Sequence, residues 1–329
     1  MSRKPAEPLA ESGAIVECEL IYGMKAADYH NDPCDVPSLS VSFAKRMIQQ
    51  SPAHAIIIHP RREELTGVKG AKVNPVHTKD MDLGTVLHGM LLGNLGEVCE
   101  QVDADSFRTK AAREERDRIR EAGKVPVLAK DITKADVIKA ALLQRMIDMG
   151  IDLYPEANEL TPNERLEAIA HHSEVVALWT EETDSGPVQC RGMLDRWDSR
   201  NAVIRDLKMV ESANPKALER KIAAFGYDMQ AVAYVRAIET IYPELEGRVE
   251  FEFLFCETSP PYAITPVKLG GTYRALGEAK WLRACEAWGR CVKECRWPYY
   301  AAGTIALEAP PWAMAEVYDE DETGEDDGQ

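Results

Sequence analysis

Apolar positions along this 329-residue chain keep helical spacing through its first half, then alternate from about residue 174. That alternation is the period of a strand. Before the switch, Cys18–Tyr22 predicts a short strand, and polar, proline-rich residues 1–16 predict a disordered start. Ser38 or Ser40 can cap a helix running to about Gln50, and Ser51-Pro52 opens another that stops at Pro60. Residues 61–80, rich in Gly, Lys and Pro, read as an exposed loop. From Asp82 to Gly93 the pattern is apolar on nearly every side, as in a buried helix. Two helices follow, the highly charged Phe107–Gly123 and Asp131–Met149, with Ile138, Leu142 and Met146 as the second helix's buried stripe. His171 and His172 read as surface residues.

After the switch, strands over Glu174–Thr183, Val188–Trp197 and Ala202–Met209 form a meander. Asn214 then caps a helix opening at Pro215, which bends near Gly226 and continues to about Tyr242. Strands over Arg248–Glu257 and Tyr262–Lys268 and a long helix over Thr272–Cys295 complete the pattern.

Chemistry gathers in the hairpin Cys190–Met209. Asp206 and Lys208 are two apart on one strand and project to one face, with Leu207 on the other. Antiparallel pairing through the turn Asp198–Asn201 brings Asp195 alongside Asp206. Two close carboxylates repel unless a cation sits between them, and hard oxygen ligands suit Mg²⁺ or Mn²⁺. A lysine two residues on can orient or deprotonate a metal-bound water, which makes a hydrolytic site in outline. The same Asp-x-Lys also serves on many strands as a plain charge pair. His88 is the polar exception in the apolar helix; such a histidine is commonly a hydrogen-bonded core residue, although neutral imidazole also ligates metals. Gln230 and Tyr234 are four apart and share a helix face, as packing residues also do. The arginines of Phe107–Gly123 read as a solvated face laced with i,i+4 pairs, with phosphate contact by one or two as the alternative.

Composition narrows the setting. The content is 45% hydrophobic and 29% charged, and no apolar run approaches the ~20 residues that span a bilayer. No secretory signal opens the chain, so cytoplasm is the expected location and no membrane partner is expected. The formal charge of −16 argues against a nucleic-acid partner, yet seven acidic residues lie in Asp319–Asp327 alone. Charges more than ~8 Å apart are largely screened at physiological salt, so a local basic groove is compatible with an acidic whole. Eight cysteines without a CxxC pair read as free thiols. Cys285, Cys291 and Cys295 fall with Trp288 on one predicted helical stripe, as core residues would.

The order of helix, three-strand meander, helix and strand, with Asp195 and then Asp206-Leu-Lys208, resembles the core of the PD-(D/E)XK nuclease superfamily. More closely it resembles the RecE-type branch, the phage and prophage exonucleases related to exodeoxyribonuclease VIII. Further motifs carry the likeness: Tyr29-His30, Ser-Leu-Ser-Val-Ser, Ser51-Pro-Ala-His54, Gly84-Thr-Val-Leu-His88, Phe107-Arg-Thr-Lys, Tyr227-Asp-Met-Gln230-Ala-Val-Ala-Tyr234, Trp297-Pro-Tyr-Tyr300 and Pro311-Trp312. The resemblance spans roughly Tyr22–Ala315, with Tyr299 where a glycine is expected and an apparent insertion over 150–165.

It implies an α/β (α+β) fold with a restriction-endonuclease-like core, a central mixed sheet flanked by helices, and an N-terminal helical region. The implied organisation is a disordered 1–16, one nuclease domain over 17–315, and an acidic disordered tail over 316–329. Within the domain, 17–173 would be mostly helical and 174–300 would hold the catalytic core and C-terminal helix. His88, Asp195, Asp206 and the Leu207 carbonyl become metal ligands for Mg²⁺, with Mn²⁺ able to substitute. Lys208 becomes the water-activating residue, and Gln230 and Tyr234 steady the site or the DNA. The implied activity is 5′ to 3′ digestion of linear double-stranded DNA, leaving a 3′ single strand for a single-strand annealing recombinase. A homo-oligomer is implied as well. An iron–sulfur nuclease of the CRISPR-adaptation type and a non-cleaving DNA-binding module are the alternative readings on the same fold.

Overall fold

The computed structural model describes residues 18–69, 79–154, 158, 160–301, 303–311 and 313–314. Its strands are β1 (Glu19–Ile21), β2 (Leu39–Ser40), β3 (Cys99–Val102), β4 (Val125–Leu128), β5 (Ser173–Glu181), β6 (Val188–Asp198), β7 (Val203–Val210), β8 (Glu250–Glu257) and β9 (Ile264–Lys268). Seven of them form a mixed sheet in the order β1-β5-β6-β7-β8-β9, with the two-residue β2 paired to β6 off that path. The meander β5–β6–β7 is antiparallel, β7 and β8 are parallel, and β9 closes antiparallel on β8. A parallel neighbour needs a crossover. Here the helices Pro215–Phe225 and Tyr227–Ile241 supply it, joined at Gly226, whose φ of 63° turns the chain between them.

Helices cover both faces. Tyr227–Ile241, Gly271–Glu294 and Val41–Gln49 share one core with Trp179, Cys190, Phe253 and Phe255. On the other face Lys79–Leu92 and Ala129–Asp148 bury Leu87, Leu91, Ile138 and Leu142 with Leu207 and Leu254. The alternation along β7 thus divides its side chains between two cores. Two predicted caps form where hydroxyl and amide oxygens meet free N–H groups: Ser40 accepts from Phe43, and Asn214 from Lys216, whereas Ser51, placed to cap the helix opening at Pro52, makes no cap hydrogen bond and meets His54 Nδ1 at 2.6 Å instead.

Three sequence expectations need correction. Residues 61–69 hold a short helix, Arg62–Thr66, stopped by Gly67 at φ 65°. The strands β2, β3 and β4 were not anticipated, and β3 and β4 form a separate parallel pair. Cys285, Trp288 and Cys291 are buried as predicted, but Cys295 is exposed because the helix ends at Glu294 and Cys295 turns left-handed at φ 49°. The helix Pro162–His171 opens with a Thr161–Glu164 capping box. The expected disorder of 1–16, the acidic tail over 316–329 and Trp312 lie outside the described residues. Among the described residues no helix is long and apolar enough to cross a membrane.

Candidate active site

The site lies where β6 and β7 part. Their ladder runs from Asp198 opposite Val203 to Arg196 opposite Arg205 and stops there. One more step would pair Asp195 with Asp206, which is why both carboxylates point the same way. Beyond the fork β6 takes β2 as its neighbour, with Leu39 opposite Cys190 and Ser40 opposite Arg191. Asp195 reaches across the gap, and its Oδ2 accepts a hydrogen bond from the Leu207 backbone N–H at 2.8 Å. The fork opens to helices on both sheet faces.

From the helix Lys79–Leu92, His88 donates through Nε2 to Asp195 Oδ2 at 2.9 Å, while its Nδ1 lies 3.8 Å from Glu174 Oε1. From the opposite face, Gln230 donates through Nε2 to Asp206 Oδ2 at 2.6 Å. The Lys208 ammonium meets Asp206 Oδ1, as two residues on one strand face can. Tyr234, one turn beyond Gln230, touches none of these groups. It packs under β6, where a Cβ at Gly192 would fall 2.6 Å from its ring. The same helix meets Gly277 on its other side, where a Cβ would fall 2.3 Å from the Asp228 carbonyl oxygen. Tyr234 is buried, with its ring against the strand.

Charge follows geometry. Burial and the nearby Asp195 push the Asp206 carboxyl up to about 6, against the opposing pull of Lys208. Burial works on Asp195 in the same sense, but the charge and hydrogen bond of His88, with Lys208 and the Leu207 N–H, hold it below its usual range. Burial pulls the His88 imidazolium down, yet Asp195, Glu174 and Asp206 together raise it to about 9. For Lys208 burial is likewise outweighed, by Asp206 and Asp195, and its ammonium titrates above the ordinary lysine range. Two acids and two bases therefore stand as a compensated cluster.

Sequence reasoning missed two members. Lys45, on the helix Val41–Gln49, places its ammonium 3.4 Å from Gln230 Oε1 and 5.2 Å from the Tyr227 ring centre, the same distance at which Lys208 meets that ring. Glu174, the second residue of β5, sits at φ 49° beside His88, and burial raises its carboxyl first, ahead of its neighbours' charges. Neither carries a local signal, since a lysine on a helix and a glutamate opening a strand are ordinary. The charged helix, Lys110–Glu121, carries one i,i+4 pair of the expected kind, Lys110 with Glu114, while its arginines pair at other spacings. Arg116 pairs with Asp117, Arg118 with Glu100 and Glu115, and Arg120 with Asp82.

Asp206 Oδ1 is buried and makes no well-formed hydrogen bond, although the Lys208 ammonium is paired with it. An oxygen in that state, beside a second carboxylate and the Leu207 peptide, is the donor chemistry that Mg²⁺ prefers. Among the described residues no three His, Cys, Asp or Glu side chains converge as a ready-made metal cage. Mg²⁺ does not require one, because it keeps several waters and takes one or two carboxylates.

Residues 40–309 match the family described as PDDEXK-like domain of unknown function (DUF3799). The chain belongs to that family. A protein from Eubacterium rectale described as a "Putative exonuclease" aligns with a TM-score of 0.51 and 13% identity over 89% of this chain and 97% of its own. A phage related exonuclease from Haemophilus somnus 129PT aligns with a TM-score of 0.28 and 11% identity, over 62% of this chain and 95% of its own. At 13% identity the first of these bears on fold alone, and the second, at a TM-score of 0.28, on neither fold nor function. No curated protein matches the sequence.

Proposed function

We propose that this protein is a divalent-metal-dependent deoxyribonuclease that digests linear duplex DNA from its 5′ ends. The observation that carries the reading is the meeting of Asp195, Asp206, Lys208, His88 and Gln230 at one fork in a PDDEXK-like sheet. Asp195, Asp206 and the Leu207 carbonyl would hold Mg²⁺, or Mn²⁺ in its place, with His88 as the further ligand that the RecE-type resemblance implies. When bound, the ion supplies Lewis-acid polarisation of the phosphoryl group and acidifies a bound water. Gln230 fixes the rotamer of Asp206 through Oδ2, leaving Oδ1 for the reacting side. Lys208, held charged by the two carboxylates, is suited to orient the attacking water and neutralise phosphate charge rather than to accept a proton. Tyr234 keeps β6 at the spacing that puts Asp195 in the fork.

The 5′ to 3′ direction, the 3′ single-stranded product, an annealing recombinase as partner, a homo-oligomeric state and a cytoplasmic setting rest on the RecE-type resemblance. The decisive assay compares end-labelled linear duplex with covalently closed circular duplex in the presence of Mg²⁺. Progressive shortening of the linear form from its 5′ ends, with the circle intact, is expected. Nicking of the circle at a comparable rate would make the protein an endonuclease, and inertness toward both would remove the nuclease reading.

A further inference from the structure

A second lysine and an exposed ring adjoin the fork, and the chemistry above uses neither. Lys45 is half-buried, yet among the described residues its ammonium meets no carboxylate within ion-pair distance; its polar partner is the neutral Gln230 amide oxygen. Removing an ammonium from water without an anion is costly, so such a group is retained where an anion arrives. Its stem runs along Gly226, where a Cβ would fall 3.2 Å from Lys45 Cγ, so the glycine leaves the lysine its path to Tyr227. Tyr227 lies beneath both Lys45 and Lys208 and packs inward on Phe253 and Phe255. Outward, it stacks with Phe225 at a centroid distance of 5.8 Å and an interplanar angle of 20°. Phe225 is 56% exposed at the end of its helix, which leaves its outer face open. The left-handed Gly226 between the two rings sets them side by side.

We propose that Lys45 and the Phe225–Tyr227 stack form a seat for one nucleotide of the DNA strand next to the scissile phosphate, with a backbone phosphate on Lys45 and a base on Phe225. The seat deepens the nuclease reading and rests on it. An aromatic face accepts any base, because every base has a π-face, so the seat binds without sequence preference. A lysine suits it as a point charge that need not match one phosphate geometry.

The test uses the full-length protein with Asp206→Asn, so that DNA is bound and not consumed, and a fluorescent single-stranded oligonucleotide of mixed sequence read by anisotropy. Phe225→Ala and Lys45→Met should each weaken binding about tenfold, while Phe225→Trp and Lys45→Arg should retain most of it. The Lys45→Met loss should shrink as salt rises and the Phe225→Ala loss should not. Melting temperatures within a few degrees of the parent confirm that each variant is folded; where one is not, the paired Trp or Arg variant carries the comparison. Unchanged affinity in the folded Ala and Met variants overturns the seat. If the wild-type enzyme digests duplex but neither variant shifts binding or KM, the seat fails and the nuclease reading stands. If the wild type neither binds nor digests DNA, both fail together.

Discussion

Asp206→Asn should stabilise the metal-free protein, by an amount that grows with pH. The folded-state pKa of Asp206 is about 6, whereas an unfolded aspartate titrates near 3.9. Between those values the native state holds a proton that the unfolded chain has released, so stability falls as pH rises through the window. A shift of about two units at ~1.36 kcal/mol each amounts to about 3 kcal/mol above pH 6, and about 1 kcal/mol at pH 4.5. Asp206 is 1% exposed, so solvent does not screen the effect away. Asparagine keeps the shape and stays neutral, and its amide can still meet Gln230. In urea unfolding with EDTA the variant should therefore gain about 3 kcal/mol over wild type at pH 8 and about 1 kcal/mol at pH 4.5. Mg²⁺ should reverse the order by stabilising wild type and not the variant. A gain that is absent, or that shrinks as pH rises, would refute the account of two crowded carboxylates.

Further outcomes follow from the same geometry. Lys208→Ala and Asp206→Ala should each abolish measurable DNA hydrolysis in a gel assay while the circular dichroism spectrum is retained, with Lys208 worth ~10²–10⁴ in rate. Gln230→Leu removes a donor that favours the charged form of Asp206, so the acid limb of the pH–rate profile should move to higher pH. Glu181→Ala strands the indole N–H groups of Trp179 and Trp281 and the Arg236 guanidinium, all of which converge on it, and should cost about 3–5 kcal/mol in urea unfolding with little change in KM. Protein purified with or without oxygen should lack the visible absorbance of an iron–sulfur centre, because Cys285 and Cys291 pack as core thiols. A brown anaerobic preparation with about four irons per chain would overturn this.

The hairpin Cys190–Met209 was legible because turn residues and alternation fix its register, and register alone brings Asp195 beside Asp206. The helix order and both capping signals were legible for the same local reason. What escaped depends on neighbours. β2 is two residues long, and β4 carries Pro126, so neither shows the alternation that marks a strand. Gly67 was the available sign of the Arg62–Thr66 helix, since a glycine at φ 65° is a common helix stop. The cysteine stripe was extended one position too far, because periodicity does not show where the last turn ends. Lys45 joins the site only through a helix brought in from 185 residues away.

The glycines at 192 and 277 act as locating pins. One lets Tyr234 rest on β6 and the other lets the Asp228 peptide rest on the helix Gly271–Glu294, so Tyr227–Ile241 is gauged from both sides. That helix also carries Gln230 and Tyr227, and a side chain inserted at either glycine would shift them as a unit. A random screen for lost nuclease activity should therefore recover changes at Gly277, a position that touches no ionised group of the fork. Engineers seeking to retune the enzyme have in this contact a coarse adjustment, set apart from the chemistry and acting on it through the placement of one helix.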